Sequence, residues 1–414
     1  MATEALRCKE CATTYPLDAR YVCEQCFGPL EVAYDFSDLD PGTAKRKIQA
    51  GSAGIWRYSD FLPFDGRPPA ERSAIEPGLT PLVRADRLAE RLGLGELWIK
   101  NDAANPTHSF KDRVVAVALA KARQLGFDTV ACASTGNLAN AVAAHAASAG
   151  LRSYVFVPAD LEEQKLLATD VYGTTLVGVN GSYDDVNRLC TQLSEERGWA
   201  FVNVNLRPYY AEGSKTLAYE TVEQLGWKLS DRVVCPIASG SLFSKLGRGL
   251  SEWLELGLVS GELPAFNGAQ AEGCSPVASA FADGKDTCRP VKPDTIAKSL
   301  AIGNPADGPY ALDLARSTGG SIESVSDQEI RDSIRLLAET TGIFTETAGG
   351  VTVATLAKLA HAGAIGRDER VVVYITGEGL KTLDATREEF QMHEIDPTLE
   401  SFETHVEAGV KVPA

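Results

Sequence analysis

Short apolar runs alternate with helical patterns along most of this chain, and this alternation restricts its fold more than any other feature. The apolar runs have the lengths of strands and lie at 96–100, 128–133, 153–158, 174–179, 201–204, 232–238, 265–271 and 370–375. Most are separated by helical patterns at 113–125, 137–149, 161–170, 182–197, 214–226 and 242–257. A capping box at 326–329 predicts another helix to about 340, and Gly349-Gly350 begins one to about 362. Such alternation predicts an α/β fold with largely parallel sheets, covered by helices on both faces.

The chain is expected to form more than one domain, because 414 residues exceed what one compact core usually supports. Residues 1–35 stand apart through their cysteines. Residues 36–78 are rich in Pro, Gly and Asp, with an apolar island at 55–58, and we interpret them as a linker that wraps over the main body. The alternating pattern occupies 79–385, the expected main body, and 386–414 form an acidic tail.

The net charge limits the classes of partner. There are 56 acidic and 40 basic residues, a net charge of −16. This balance disfavours non-specific binding to nucleic acids or anionic membranes, which both require a basic surface. Small anionic substrates remain compatible, because a few cations and backbone amides suffice to bind a phosphate. The sequence has no apolar run of membrane-spanning length and no signal-peptide pattern, so a cytoplasmic location is expected.

Four of the nine cysteines form two CxxC pairs near the N-terminus, Cys8/Cys11 and Cys23/Cys26. Two such pairs present four thiolates on tight turns, the usual ligand set of a structural zinc ion. So short a segment depends on a metal for stability, and we predict a zinc knuckle. The alternatives are four reduced cysteines without metal and a DNA-reading zinc ribbon. The second is disfavoured because acidic residues balance the basic residues around the pairs.

The stretch from Asn105 to Arg113 joins a strand pattern to a helical pattern and carries one lysine, Lys111, next to Phe110. Partial burial of an amine disfavours its charged form, and such a lysine serves as a Schiff-base nucleophile or a general base. The alternative interpretation is a surface lysine at the start of a helix.

Three other loops follow strand patterns, where α/β proteins bind ligands. Ser134-Thr-Gly-Asn137 supplies short donors ahead of a helix, which suits a carboxylate or phosphate, although it also resembles an ordinary helix cap. Residues Ala238, Ser239, Gly240, Ser241 and Leu242 form a small-residue loop that enters a helix, as phosphate-binding loops do. Thr376, in the loop that ends at Gly379, provides a hydroxyl for a ring nitrogen or simply ends the strand.

A lysine, a phosphate loop, an asparagine loop and a strand-end hydroxyl are the groups needed to hold pyridoxal phosphate. Neither a Walker motif nor a GxGxxG after a strand is present, which disfavours nucleotide cofactors. Residues 55–385 resemble the fold-type-II pyridoxal-phosphate-dependent enzymes, and among them the threonine synthases. The motifs that carry this resemblance are Gly78–Leu82, Leu97–Asp102, Asn105–Arg113, Ser134–Asn137, Asn205–Thr216, Ala301–Pro305 and Thr376–Gly379.

The resemblance implies a role for each of these loops. Lys111 matches the lysine that forms the Schiff base with the cofactor, and Asn137 matches the residue that binds the cofactor's ring hydroxyl. Ala238–Leu242 lies where the family has its phosphate loop. Thr376 matches the hydroxyl partner of the ring nitrogen. Ser134 and Thr135 belong to the loop that receives the substrate carboxylate. The resemblance also implies two open, largely parallel sheets, and a smaller lobe of about 120–210 inserted in the larger one.

The implied reaction converts O-phosphohomoserine and water into threonine and phosphate, with Lys111 as the proton shuttle. Candidate ligands for the substrate phosphate are Arg113, Arg207 and Lys215. The family places an arginine where this chain has Tyr210, and the candidate cations are also compatible with surface ion pairs.

Related activities of the same fold type remain open as alternatives. They are threonine or serine dehydratase, cysteate synthase and diaminopropionate ammonia-lyase. A non-catalytic regulator that combines a zinc ribbon with bound cofactor is a further alternative from another class, which the acidic charge disfavours. Fold-type-II enzymes are usually dimers, so a homodimer is expected.

Overall fold

The computed structural model describes residues 2–64, 67–70, 72–134, 136–159, 163–181, 183–389 and 392–406. Its strands are β1 Ala2–Cys8, β2 Thr14–Tyr15, β3 Leu30–Asp35, β4 Leu82–Arg84, β5 Glu96–Asn101, β6 Thr129–Ala133, β7 Arg152–Pro158, β8 Thr175–Val179, β9 Ala200–Phe201, β10 Arg232–Pro236, β11 Ala265–Ala271, β12 Ile322–Val325 and β13 Arg370–Ile375.

Its α-helices are α1 Pro41–Ala50, α2 Asp86–Leu92, α3 Lys111–Gln124, α4 Asn137–Ala149, α5 Glu163–Asp170, α6 Tyr183–Glu196, α7 Arg207–Glu212, α8 Lys215–Gln224, α9 Ser241–Glu255, α10 Pro276–Ala282, α11 Gly308–Ser317, α12 Asp327–Thr341, α13 Thr347–His361 and α14 Leu399–His405. Short 3-10 helices occur at Ile55–Phe61, Asp102–Ala104, Lys298–Leu300 and Gly379–Glu389. Within the described residues, no helix is long and apolar enough to cross a membrane.

The strands form two parallel-type sheets and one small antiparallel sheet. The large sheet has the order β12-β11-β10-β13-β5-β4, and only the edge strand β4 runs antiparallel to its neighbour. The smaller sheet, β8-β7-β6-β9, is parallel throughout. This arrangement confirms the predicted α/β class.

The order of the large sheet brings the carboxyl ends of three strands to one edge of the sheet. Strands β10, β13 and β5 are adjacent and parallel, so the segments after Pro236, Ile375 and Asn101 leave the sheet at one edge. These segments contain the predicted phosphate loop, Thr376 and the lysine stretch.

The core consists of aliphatic and aromatic side chains between the sheets and their helices. Val371 and Val373 are fully buried in β13. Tyr58 and Phe61 pack beside Trp253 of α9, with ring centroids 6.2 and 5.8 Å from it. The predicted linker, 36–78, therefore carries α1 and a 3-10 helix and contributes buried aromatic rings to the core.

Strands β1 to β3 form the antiparallel sheet, and residues 2–35 are called the cysteine segment below. Its buried Leu6 and Val32 join the core of the smaller sheet and α3. The Tyr209 hydroxyl donates to the Asp18 carbonyl at 2.9 Å, and the Tyr34 hydroxyl donates to Glu212 at 2.7 Å. The cysteine segment is thus packed onto the main body.

Most predicted elements have counterparts within a few residues, and the capping box of α12 is formed by Ser326 and Glu329. The strand predicted at 201–204 is instead the two-residue β9. The prediction omitted several short elements. They are β1 to β4, β12, α1, α2, α7, α10, α11 and α14, most of which are too short for a clear period or begin at Pro or Gly.

Candidate active site

Two of the three loops at the edge of the large sheet, those that carry Lys111 and Thr376, are joined by backbone hydrogen bonds. The Phe110 N–H donates to the Thr376 carbonyl at 2.9 Å, and the Glu378 N–H donates to the His108 carbonyl at 3.1 Å. Ser109 also forms a bridge with Gly377. The lysine stretch is therefore fixed directly against the loop that follows β13.

Asp112 organises the turn that precedes Lys111. Its carboxylate accepts from the Thr107 N–H at 2.7 Å and hydroxyl at 2.8 Å, and lies 3.1 Å from Nε2 of buried His145. His108 in this turn has a φ of +62°, a left-handed conformation that is unfavourable for a non-glycine residue. These contacts set the direction in which α3 begins with Lys111.

The Lys111 side chain is half-buried and faces two aromatic residues. Its Nζ lies 4.5 Å from the Phe110 ring centroid and donates to the Tyr210 hydroxyl at 2.8 Å. Among the described residues, the ion pairs do not include Lys111. An amine with a neutral hydroxyl partner, rather than a carboxylate, suits a nucleophile or base.

Asn137 begins α4 at the end of the smaller sheet and connects it to the large one. Its Nδ2 donates to both oxygens of Glu346 at 3.0 Å, and its Oδ1 accepts from Lys381 Nζ at 2.8 Å. Burial raises the pKa of the Glu346 carboxyl, although the Asn137 amide and the Lys381 ammonium act in the opposite direction. The Asn137 amide therefore lies between the two sheets, fixed in orientation from both sides.

The loop before α4 is only partly described. Ser134 is half-buried, and its Oγ accepts weakly from the Gly136 N–H at 3.4 Å. An added Cβ on Gly136 would meet nothing within 4 Å, so the backbone there is open on that side. Thr135, predicted to bind substrate, lies outside the described residues.

The loop Ala238–Leu242 lies between β10 and the 15-residue helix α9. Gly240 has a φ of +94°, and a Cβ there would lie 2.6 Å from the Asp307 carbonyl oxygen, so only glycine fits. Ser239 and Ser241 are partly exposed. The first amides of α9 lack intrahelical partners and carry the positive end of the helix dipole, which suits a phosphate.

Thr376 is buried at the end of β13, the strand between the other two loops. The donor set therefore fits pyridoxal phosphate: an amine, a helix N-terminus and a hydroxyl follow neighbouring strands of the large sheet, and an amide follows β6 of the smaller sheet.

Two of the predicted substrate residues lie elsewhere. Arg113 is fully buried and contacts Asp102 at 2.7 Å and Glu220 at 2.8 Å. Lys215 is also fully buried and contacts Glu212 at 2.7 Å and another carboxylate, Glu252, at 2.9 Å. This corrects the expectation that they bind a substrate phosphate, because both are enclosed by protein and already paired. We call Arg113, Lys215 and their carboxylate partners the inner charge layer; the partners are Asp102, Glu212, Glu220 and Glu252.

Arg207 differs from those two cations. It begins α7, its side chain keeps 28% of its accessible surface, and it pairs with Asp307 at 2.7 Å. Of the three candidates it is the one that stays accessible to a small anion.

Sequence reasoning missed three residues of the site. Tyr210 was noted only as a replacement for the family arginine. Glu346 resembles an ordinary acidic residue before a helix, and Lys381 a surface lysine after the Thr376 loop. Lys381 lies five residues after Thr376, and this position was the available signal for it. Glu346 lies between two helices and Tyr210 within α7, so no such signal for them existed in the sequence.

The four predicted metal ligands are brought together in the cysteine segment. The sulfur atoms of Cys8, Cys11, Cys23 and Cys26 all lie within 4.8 Å of one another. Four thiols at such separations match the ligand chemistry of one tetrahedral ion.

Comparison with known proteins assigns the family. The family model for "Pyridoxal-phosphate dependent enzyme" matches residues 75–377. The chain is 39% identical to threonine synthase of Methanocaldococcus jannaschii, covering 92% of this chain and 93% of that one. It is 38% identical to threonine synthase of Methanosarcina acetivorans, with 91% and 92% covered.

Solved structures show the same fold. Threonine deaminase isoform 2 from Solanum lycopersicum superposes with a TM-score of 0.65 at 19% identity, covering 85% of this chain and 94% of that one. Together with the convergent strand-end loops, these relationships show that the chain belongs to the family of pyridoxal-phosphate-dependent enzymes and is a relative of its threonine synthases.

Proposed function

We propose that this enzyme is a threonine synthase, which converts O-phosphohomoserine and water into threonine and phosphate. The observation that carries the proposal is the Lys111 amine, held 2.8 Å from the Tyr210 hydroxyl, in a loop that is hydrogen-bonded to the Thr376 loop. The threonine synthases among its relatives support the choice of reaction.

Four groups would hold the cofactor. Lys111 would bind it covalently, Asn137 would contact its ring hydroxyl, Ala238–Leu242 its phosphate and Thr376 its ring nitrogen. When bound, pyridoxal phosphate stabilises negative charge at the carbon atoms next to the substrate amine.

The remaining chemistry belongs to the side chains. As a neutral amine, Lys111 removes the substrate's α-proton and then a β-proton, after which phosphate leaves from the γ-carbon. One proton then goes to the γ-carbon, which becomes the methyl group, and after water adds to the β-carbon the other returns to the α-carbon. The Tyr210 hydroxyl holds Nζ in the direction of these protons. The Ser134–Asn137 loop, at the N-terminus of α4, binds the substrate carboxylate.

An assay of products tests this proposal. The purified holoenzyme is incubated separately with O-phosphohomoserine, threonine, serine and O-phosphoserine, and phosphate, threonine and 2-oxo acids are quantified. We expect phosphate and threonine in equal amounts from O-phosphohomoserine. An active holoenzyme that forms 2-oxo acid from threonine or serine, and no phosphate from O-phosphohomoserine, would be a dehydratase instead.

We also propose that the four cysteines bind one structural zinc ion. The burial of Cys8 and Cys23, and the exposure of Cys11 and Cys26, support a site at the surface of the cysteine segment. About one zinc per chain is expected by elemental analysis. Cys11→Ser should reduce the zinc content and the melting temperature, whereas Cys190→Ser, outside the segment, should leave the zinc content unchanged.

We further propose that the enzyme is a cytoplasmic homodimer, as the resemblance to fold-type-II enzymes suggests. Light scattering coupled to size-exclusion chromatography would give a mass near twice that of the chain, and a monomeric mass for the active enzyme would contradict the proposal.

A further inference from the structure

A chain of hydrogen bonds runs from the linker, residues 36–78, to the turn that precedes Lys111. The Ser73 Oγ atom lies 2.8 Å from His145 Nδ1, and His145 Nε2 lies 3.1 Å from Asp112 Oδ1. The two oxygens of Asp112 accept from the hydroxyl and the N–H of Thr107, at 2.8 and 2.7 Å. His145 is thus the residue that joins the linker to the lysine stretch.

These three residue types in this order resemble the triad of a serine hydrolase. A hydrolase, however, exposes its serine to the substrate. Here Ser73 is 6% exposed, and His145 and Asp112 are both 0% exposed. The Ser73 hydroxyl is too enclosed to reach a substrate, so the three groups act on the structure around them.

The partners of His145 determine which of its ring nitrogens carries a proton. The Asp112 carboxylate can only accept, so Nε2 donates to it. The Ser73 Oγ atom lies 2.8 Å from Nδ1 and 3.3 Å from the Ile75 carbonyl, so its single proton is donated to Nδ1. The linker therefore fixes both the orientation of the ring and the tautomer that Asp112 requires.

Asp112 depends on His145 because it has few other partners. Its carboxylate is fully buried in the first turn of α3, where the helix dipole favours a negative group. In the described part of the chain, no lysine or arginine forms an ion pair with it, and its side-chain donors are those of Thr107 and His145. Loss of the His145 donor leaves part of a buried charge unsatisfied, which moves the carboxylate towards another donor.

The turn that Asp112 holds needs this support. His108, within the turn, has a φ of +62°. Such a conformation persists in a non-glycine residue only where the surrounding contacts impose it. Thr107, which precedes His108, supplies both of the local donors to Asp112. A displaced Asp112 would therefore release the residue next to the strained one.

The same chain of contacts returns to α4. The Thr107 carbonyl accepts from Lys381 Nζ at 2.7 Å, and the same Nζ donates to Asn137 Oδ1 at 2.8 Å. Asn137 and His145 both belong to α4 and lie about two helical turns apart. The lysine stretch, in the large sheet's lobe, is thus fixed to α4 of the smaller sheet at two separate points.

We propose that His145 is a positioning residue for the active site. Through Asp112 it holds the lysine stretch against α4, so that Lys111 and Asn137 keep the separation that one cofactor requires. Ser73 extends this role to the linker, because its hydroxyl fixes the His145 ring. The kinetic consequence of this role rests on the proposed function.

Two substitutions of His145 separate positioning from packing. Glutamine places an amide donor where Nε2 lies and keeps the bond to Asp112, whereas leucine removes it. We expect His145→Leu to lower kcat about tenfold or more, since the hydrogen bond lost is to a charged group. The KM for O-phosphohomoserine should change less than about twofold, because the buried ring does not contact the substrate. His145→Gln should recover most of kcat.

Val142→Ala is the matched control for packing, because Val142 is fully buried in the same helix and outside this chain of hydrogen bonds. It should lower the melting temperature and leave kcat unchanged. If His145→Leu does not fold, Ser73→Ala tests the same contact from the linker side and should lower kcat about two- to tenfold. Equal losses of kcat in Val142→Ala and His145→Leu, or no recovery in His145→Gln, would overturn the positioning role.

Binding of the cofactor gives a measurement that does not depend on the reaction. Pyridoxal phosphate is added to the cofactor-free protein, and the growth of the visible absorbance of the lysine-bound cofactor is followed. The rate should be about tenfold lower in His145→Leu than in wild type, because the Lys111 amine is less well placed, and normal in Val142→Ala. A wild-type rate in His145→Leu would contradict the proposal. A lower rate in His145→Leu, with a wild-type enzyme that does not turn over O-phosphohomoserine, would leave the role of His145 standing and refute the proposed function.

Discussion

Lys111 and Arg113 lie two residues apart at the start of α3, yet Lys111 belongs to the candidate active site and Arg113 to the inner charge layer. Lys111 is half-buried and contacts a neutral hydroxyl. Arg113 is fully buried between Asp102 and Glu220. A cation removed from water requires neutralising partners, and a catalytic amine requires freedom from them. Within one short motif, Lys111 therefore supplies a reactive amine, and Arg113 supplies a buried charge that stabilises the surrounding fold.

The largest expected effect is a loss of activity in a variant of the active site. Lys111→Ala removes the covalent anchor and the proton shuttle, so kcat/KM should fall by at least about 10³-fold. The visible absorbance of the lysine-bound cofactor should also disappear. The free energy of unfolding of the cofactor-free protein should change by less than about 1 kcal/mol, because the variant leaves no buried charge unpaired. Retained absorbance would refute the assignment of Lys111.

The next largest effect is a loss of stability in a variant of the inner charge layer. Arg113→Met leaves two buried carboxylates without their guanidinium and should lower the free energy of unfolding by about 3–5 kcal/mol. Urea denaturation measures this. The control is Arg152→Met, whose exposed pair with Asp128 should contribute only about 0–1 kcal/mol. Equal effects of the two substitutions would mean that the inner charge layer does not stabilise the fold.

The sequence predicts those features that depend on local patterns. The periods of apolar residues indicate most of the strands and helices, and the capping box of α12 is legible as Ser326 and Glu329. The sequence also indicates where strands end, and it therefore identifies the loops that carry Lys111, Asn137 and Thr376. Parallel strands then bring such loops to one edge of a sheet.

The features that were not predictable depend on contacts between distant parts of the chain. The hydroxyl that contacts Lys111 lies 99 residues away along the chain, and the carboxylate that contacts Asn137 lies 209 away. Arg113 and Lys215 resemble surface cations in sequence, because burial of a charge follows only from the positions of its partners.

The pH dependence of stability provides a test within the inner charge layer. Burial by itself raises the pKa of Glu212, but the ammonium groups of Lys215 and Lys245 outweigh it and lower the pKa from 4.5 to about 2. A lowered folded-state pKa gives stability that is complete above about pH 4.5 and is lost as the pH falls towards 2. The depression corresponds to roughly 3 kcal/mol.

Glu212→Gln should therefore be less stable than wild type at pH 7, and the difference should shrink between pH 4.5 and 2. Urea denaturation at several pH values measures it, with the exposed Glu24→Gln as the control for a change of one charge. A difference that stays constant with pH would show that Glu212 is not the group whose protonation destabilises the protein.

The smallest expected effect tests the neutral partner of Lys111. Tyr210→Phe keeps the ring and removes one hydrogen bond, which contributes about 0.5–1.5 kcal/mol. The variant should therefore lose about two- to tenfold in kcat, with a small change in KM for O-phosphohomoserine. Because a hydroxyl holds the amine without neutralising it, the cofactor absorbance should persist in Tyr210→Phe, in contrast to Lys111→Ala. A loss of kcat as large as that of Lys111→Ala would make Tyr210 a proton-transfer group. The active site would then differ from the inner charge layer by two reacting residues, Lys111 and Tyr210, rather than by Lys111 alone.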